Sequence, residues 1–294
     1  MHERIDHGAN LLKNHVFQFD FLNDDFTKLP QSLQDIINDE QKRKKLVIYI
    51  NPPYAEHGTK AKISSTGEHK PSVATLSKVY SDFNKIVGTA TRELFAQFFL
   101  RAYKEMPDAN LASFSTLKFV NSPNFLSFRN YFKVTFVKGF VCKASTFDNV
   151  KGKFPIGFLI WKLDAKGNID TLDVDVFEND DNLIANKKFF VIEKNRYFIN
   201  WFRPFIDRKA NELGSLHIHS NDIQQQNVIS ITAVPSSSDL IQKTFTYITR
   251  INLIEVSIYY AVRHCIESTW LNNRDQFLFP DDGWEKDLIL KTIV

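Results

Sequence analysis

The sequence predicts an α/β protein, a sheet with helices on its faces, and three observations carry that expectation. Residues 46–50, LVIYI, form an unbroken apolar run ended by Asn-Pro-Pro-Tyr, the pattern of a strand buried on both faces of a parallel sheet. Leu94, Phe95, Phe98, Phe99 and Ala102 share one stripe of a helix that Pro107 terminates. Strand-like and helix-like segments then alternate as far as residue 163, the order that builds a sheet whose ligands gather beyond the carboxyl ends of its strands.

The elements follow in order. HVFQFDFLNDDF (15–26) reads as a strand running into an acidic turn, and residues 30–45 as a short polar helix or loop. Pro52 and Pro53 cannot donate to a ladder, so the chain must leave the sheet after Ile50, which places Asn51 at a carboxyl end. Residues 55–88, with scattered glycines, Pro71 and many hydroxyls, predict a long surface loop. NLASFSTLKFVNS (110–122) is a strand, PNFLSFRNYF (123–132) a short helix opened by Pro123, and residues 134–143 and 154–163 an antiparallel pair. Beyond residue 170 the signals weaken: strands are expected in 187–202 and in VISITAV (228–234), and a last helix over 249–271. The expected division is a core of residues 1–165 and an α+β C-terminal extension of residues 166–294.

Composition bounds the function. With 27 phenylalanines against 10 glycines, any single Phe is core before it is a ligand platform. A net charge of +3 falls short of the balance that announces a nucleic-acid binder. The run QKRKK (41–45) is open to two readings, a solvated connection or a phosphate contact. No apolar run reaches the roughly 18 to 20 residues of a membrane span, and the first residues carry no signal-peptide core. A cytoplasmic protein without a membrane partner is therefore expected, with Cys142 and Cys265 as reduced structural thiols.

A strand emptying into Asn51-Pro52-Pro53-Tyr54 resembles the motif at the methyl-transfer site of the S-adenosylmethionine-dependent amino-methyltransferases. The surroundings are similar to the adenine-N6 DNA methyltransferases of bacterial restriction-modification systems. FDFLNDDF (19–26) resembles their cofactor-adenine strand, RELFAQFFLRAY (92–103) the helix after the motif, and AVRHCIESTWLNNRDQFLFP (261–280) a segment of large restriction-modification methylases. The resemblance implies a partial Rossmann-like class I methyltransferase sheet as catalytic core, S-adenosyl-L-methionine as cofactor, and double-stranded DNA with a flipped adenine as substrate.

The implied chemistry is physically coherent. An aromatic exocyclic amine is a poor nucleophile because its lone pair is delocalised into the ring, so two acceptors aimed at its N–H bonds would localise that pair. Asn51 offers a side-chain oxygen, Pro52 a carbonyl whose direction Pro53 helps fix, and Tyr54 a ring on which the base can stack. In-line positioning would supply on the order of 7 to 11 kcal/mol more. No metal is implied.

By the same resemblance Asp20 would accept from the cofactor's adenine amine with Phe21 against its ring, a solvated turn carboxylate being the competing reading. Phe147 would give the flipped base a second aromatic face, unless it is core or Phe154 takes that role. His217 and His219 share a strand face without the cluster a metal needs. His57 lines the site or sits on an exposed loop. Arg263, His264, Trp270 and Arg274 face DNA or pack a helix.

The sequence departs from the family where its glycine-rich cofactor turn belongs, for no Gly-x-Gly occurs anywhere. The chain is therefore expected to be incomplete, the cofactor-binding half coming from a separate chain or segment, and to bind cofactor weakly or not at all by itself. Two other readings stand beside this one: a protein glutamine-N5 methyltransferase, which the long loop disfavours, and a non-catalytic DNA-binding or assembly fragment that keeps the fold without turnover.

Overall fold

The structure, a computed structural model, describes residues 15–52, 75–147, 152–178, 182–191 and 196–278, with His7 and Val150. A six-stranded mixed sheet of order β1-β2-β4-β3-β5-β6 organises it. Its strands are β1 (Val47–Ile50), β2 (Asn110–Thr116), β3 (Thr135–Lys143), β4 (Pro155–Lys162), β5 (Thr171–Glu178) and β6 (Asn182–Phe190). β1 pairs parallel with β2 and β3 parallel with β5, while β4 lies antiparallel between β2 and β3. The strands β1, β2, β3 and β5 thus run the same way and end on one side. The α/β class read from the alternation holds, and the arrangement is compatible with a Rossmann-like fold.

Helices α1 (Gln31–Asn38), α2 (Glu40–Arg43), α3 (Lys78–Val87), α4 (Leu94–Glu105), α5 (Lys118–Asn121) and α6 (Leu126–Tyr131) follow the chain order. The expected stripe of α4 is buried at Leu94, Phe95, Phe99 and Ala102, whereas Phe98 is only half-buried. Phe119 of α5 turns back over the sheet and meets Trp161 of β4 at 5.8 Å. Leu111, Val141, Trp161, Leu172, Val174 and Val176 complete this core from the strands.

Three expectations about residues 15–88 are corrected. Residues 15–26 form no strand: Asp20 accepts from the Leu22 amide at 3.0 Å and from the Asn23 side chain at 2.8 Å, and this turn chemistry overrides the aromatic alternation. Within the supposed loop, residues 78–87 form α3, capped by Ser77 Oγ, which accepts from the Tyr80 amide at 2.9 Å. Val79, Phe83 and Val87 recur every fourth residue and are buried, enough for one apolar helical face amid polar neighbours; residues 53–74 lie outside the described residues. The third correction concerns β1. It is an edge strand of the sheet, and Val47 and Tyr49 stand 60% and 63% exposed, so it is not buried on both faces.

A second module follows the sheet. Residues 187–190 end β6, but 198–202 form a short helix, α7 (Phe198–Phe202), where strands were expected. β7 (Gly214–His217), β8 (Ile231–Thr232) and β9 (Phe245–Ile248) make a three-stranded sheet of order β8-β7-β9, with α8 (Ser237–Gln242) between β8 and β9. The last helix, α9 (Leu253–His264), is shorter than its apolar pattern suggests. Phe198, Phe202, Leu216, Val256 and Tyr259 form this module's own core. Lys187 of β6 ties the two parts, donating to Asp275 at 2.6 Å and to the Leu271 carbonyl at 2.9 Å. Among the described residues no helix is long and apolar enough to cross a membrane.

Candidate active site at the carboxyl ends of the sheet

β1 leaves the sheet one residue after Ile50, which pairs with Ser113 of β2. Asn51 is exposed at that end and Pro52 is buried directly behind it. A buried imino acid with a fixed φ anchors the chain, so the polar residue before it is presented outward at a set position. Pro53 and Tyr54, with His57, lie outside the described residues.

The carboxyl end of β3 points the same way and leads through a single 3-10 turn, Ala144–Thr146, to Phe147. That ring is half-buried and stands edge-on to Phe114 of β2, centroids 5.3 Å apart. Both Phe147 and its rival Phe154 pack against the small cluster of Cys142, Ala144 and Ile156. The topology therefore brings Asn51 and Phe147 to one end of the sheet, with β2 and β4 between their strands. Asp20 and Phe21 are not brought into the sheet. Phe21 stacks on Phe98 of α4 at 5.3 Å and 6°, and Asp20 is exposed in its turn above the helical layer.

The sheet's two faces differ. Helices cover the face carrying Leu111 and Trp161, whereas the opposite face presents Tyr49, Phe158, Phe114, Phe140 and Phe177 in a chain of ring contacts from β1 to β5. Successive centroids lie between 4.8 and 6.2 Å apart. Four of these rings are half-buried and Tyr49 is exposed.

Sequence reasoning missed the charges gathered at the same end as Asn51. Glu93, at the start of α4, accepts from Lys118, at the start of α5 just beyond β2, at 2.5 Å with both side chains largely buried. This pair borders a cavity of about 330 Å3 that also includes Arg92 and Arg274. Only Arg274 had drawn notice in the sequence, because the cluster joins positions far apart along the chain.

The remaining candidates resolve into structural roles. In the basic run, Arg43 donates to the carbonyls of Ile37 and Pro107, and Lys42 and Lys44 pair with Asp39 and Glu40, so it is a connection tied to its own surroundings. Arg263 is buried and donates to Tyr259 Oη at 2.7 Å. His264 bonds the Tyr260 carbonyl at 2.8 Å, and the Trp270 ring lies 5.8 Å from Lys143 Nζ.

His217 Nδ1 is bonded to Asp239, which also closes the N-terminal capping box of α8 with Ser236. Burial pushes the Asp239 pKa upward, but hydrogen bonds from Ser236 and Thr244 and the neighbouring His217 outweigh it and hold the carboxyl at about 2. Burial, with the adjacent His217, lowers the pKa of His219. Among the described residues no group of three His, Cys, Asp or Glu side chains could hold a metal. Both cysteines are free, Cys142 buried and Cys265 exposed.

No protein-family profile and no curated protein matches this sequence. Several solved structures align with it distantly. One is the ATP-dependent Type ISP restriction-modification enzyme LlaBIII bound to DNA, at 10% identity and a TM-score of 0.33, over 64% of this chain and 15% of that one. Another is a nuclease-deletion mutant of the Type ISP enzyme LlaGI with a DNA substrate mimic, at 11% identity and 0.34, over 62% and 21%. A third is the Type IIL restriction-modification enzyme MmeI in complex with DNA, at 16% identity and 0.30, over 67% and 26%. The aligned part is thus at most about a quarter of each of these longer chains.

Proposed function

We propose that this chain is the target-base half of an adenine-N6 DNA methyltransferase of a restriction-modification system. The observation that carries the reading is Asn51, exposed at the carboxyl end of a parallel strand and held there by buried Pro52. In a parallel α/β sheet that end is where ligands sit, and a carboxamide followed by an imide carbonyl is the acceptor pair that an exocyclic amine needs. The Asn51 oxygen and the Pro52 carbonyl would accept from the amine's two N–H bonds, Tyr54 would stack on the extruded base, and Phe147 would close its other side. S-adenosyl-L-methionine would supply the methyl group as an electrophile, and the proton released by the amine would leave to solvent.

On this reading a separate cofactor-binding half would dock at the edge of β1. β1 has an apolar edge without a partner strand among the described residues, and Tyr49, where the aromatic face begins, is 63% exposed. A parallel strand added beyond β1 and a helix laid on these rings would complete a doubly covered sheet. For Asp20 and Phe21 to hold the cofactor's adenine, their turn would have to leave the Phe98 ring.

The test is reconstitution. The chain is co-expressed with the reading frame that carries a Gly-x-Gly element, and the complex is supplied with duplex DNA and S-adenosylmethionine labelled in its methyl group. The expected product is N6-methyladenine, lost in Asn51→Ala. Transfer indifferent to that substitution, or none from a complex that binds the cofactor, would sink the reading. The lack of a Gly-x-Gly turn favours a second reading, a DNA-binding fragment without turnover, which the same complex would reveal by binding duplex and never methylating it.

A further inference from the structure

Two charges at this end of the sheet have no counterpart among the described residues. The cavity of about 330 Å3 is lined by Thr89, Arg92, Lys118, Ser122, Asn124 and Arg274 among others. Lys118 is matched by Glu93, but neither Arg92 nor Arg274 makes a side-chain hydrogen bond or ion pair among the described residues. Arg92 closes the 3-10 turn Gly88–Arg92 ahead of α4, and Arg274 comes from the segment after α9, so two distant stretches each bring an arginine to one small polar space. The other walls supply hydroxyls, an amide and the Glu93 carboxylate, whose charge Lys118 offsets, and Phe125 is the apolar exception.

We propose that this cavity seats a backbone phosphate of DNA. A planar guanidinium fork matches two oxygens of a phosphate, and two forks from different sides suit a tetrahedral anion better than a planar carboxylate. Side-chain hydroxyls and amides are common further partners of phosphate oxygens in DNA contacts. The seat lies at the end of the sheet where Asn51 emerges, so a phosphate held here would fix the strand's register relative to the target base. The identification of the phosphate as that of DNA rests on the methyltransferase reading; the fit to a phosphate anion does not.

The test is fluorescence anisotropy of the full chain with a labelled mixed-sequence duplex between 50 and 200 mM salt, roughly the range over which phosphate contacts dominate the slope. Arg92→Gln and Arg274→Gln should each weaken binding roughly tenfold and flatten the dependence of log Kd on log salt by about 1. Arg92→Lys should keep the slope, and matching far-UV spectra of all three variants would exclude misfolding. A slope unchanged in both glutamine variants overturns the proposal.

If the duplex fails to bind while inorganic phosphate raises the melting temperature through the two arginines, the seat is for free phosphate and the DNA assignment is overturned. Failure here would leave Asn51-dependent methylation standing, and failure of that methylation would leave the salt slope standing.

Discussion

Replacing Glu93 by Gln should lower stability and tighten DNA binding together. The Glu93 and Lys118 side chains are only 11% and 19% exposed and meet at 2.5 Å. Removing one partner of a buried pair costs up to about 3–5 kcal/mol because the other charge loses a counter-ion. Residual exposure lets the Lys118 ammonium recover some hydration, which brings the expected loss to about 2–3 kcal/mol. For a chain of this size that corresponds to a fall in Tm of roughly 5–10 °C, readable by scanning calorimetry. Adding Lys118→Met should restore part of the loss, since an uncharged pair leaves no buried ammonium to compensate. The cavity gains one net positive charge in Glu93→Gln, so duplex affinity should rise and its salt dependence steepen. A Tm within about 1 °C of the parent, or a double variant no more stable than the single one, would refute the reasoning.

Asn51→Ala should leave the melting curve within about 0.5 kcal/mol of the parent, as expected for an exposed strand-end residue, while methylation by the reconstituted complex falls at least about a hundredfold. The Asp239 carboxyl, held at about 2 against an ordinary 3.8, stabilises the fold fully above pH 4 and ceases to as pH falls through the folded value. Urea midpoints measured from pH 5 to pH 2 should therefore drop less steeply in Asp239→Asn than in the parent, and parallel profiles would contradict this.

What the sequence disclosed depended on whether one local signal decided the matter. The stripe of α4 and the short connection between β3 and β4 are local, and both emerged where expected. β5 also carried a legible period of two, Leu172, Val174 and Val176 buried between exposed Thr171, Asp173 and Asp175, although its signal had looked weak. In residues 15–26 two local signals competed, and carboxylates bonding their own backbone won over alternating rings. α3 was hidden because a few apolar residues spaced among polar ones look like loop until the rest of the fold covers Val79, Phe83 and Val87. Asn51 was legible because its context is contiguous. The meeting of Arg92, Glu93, Lys118 and Arg274 was not, since only the folded sheet and the returning C-terminal segment bring them together.

β1 is where composition and surroundings disagree, and that disagreement can be tested. LVIYI is suited to burial, yet Tyr49 is 63% exposed at an edge without a described partner strand, and an apolar edge of this kind is a pairing hazard unless something covers it. Covering the exposed part of the Tyr49 side chain would contribute on the order of 3 kcal/mol to association, about a hundredfold in Kd. Tyr49→Lys should therefore leave the isolated chain equally stable and less prone to self-association. It should also weaken assembly with the cofactor-binding half about a hundredfold by isothermal titration. If the lysine variant assembles as tightly as the parent, the edge is not the docking line for the proposed cofactor-binding half. If instead the isolated variant loses more than about 1 kcal/mol of stability, Tyr49 already supports the fold through Phe158, and its exposure marks no vacancy.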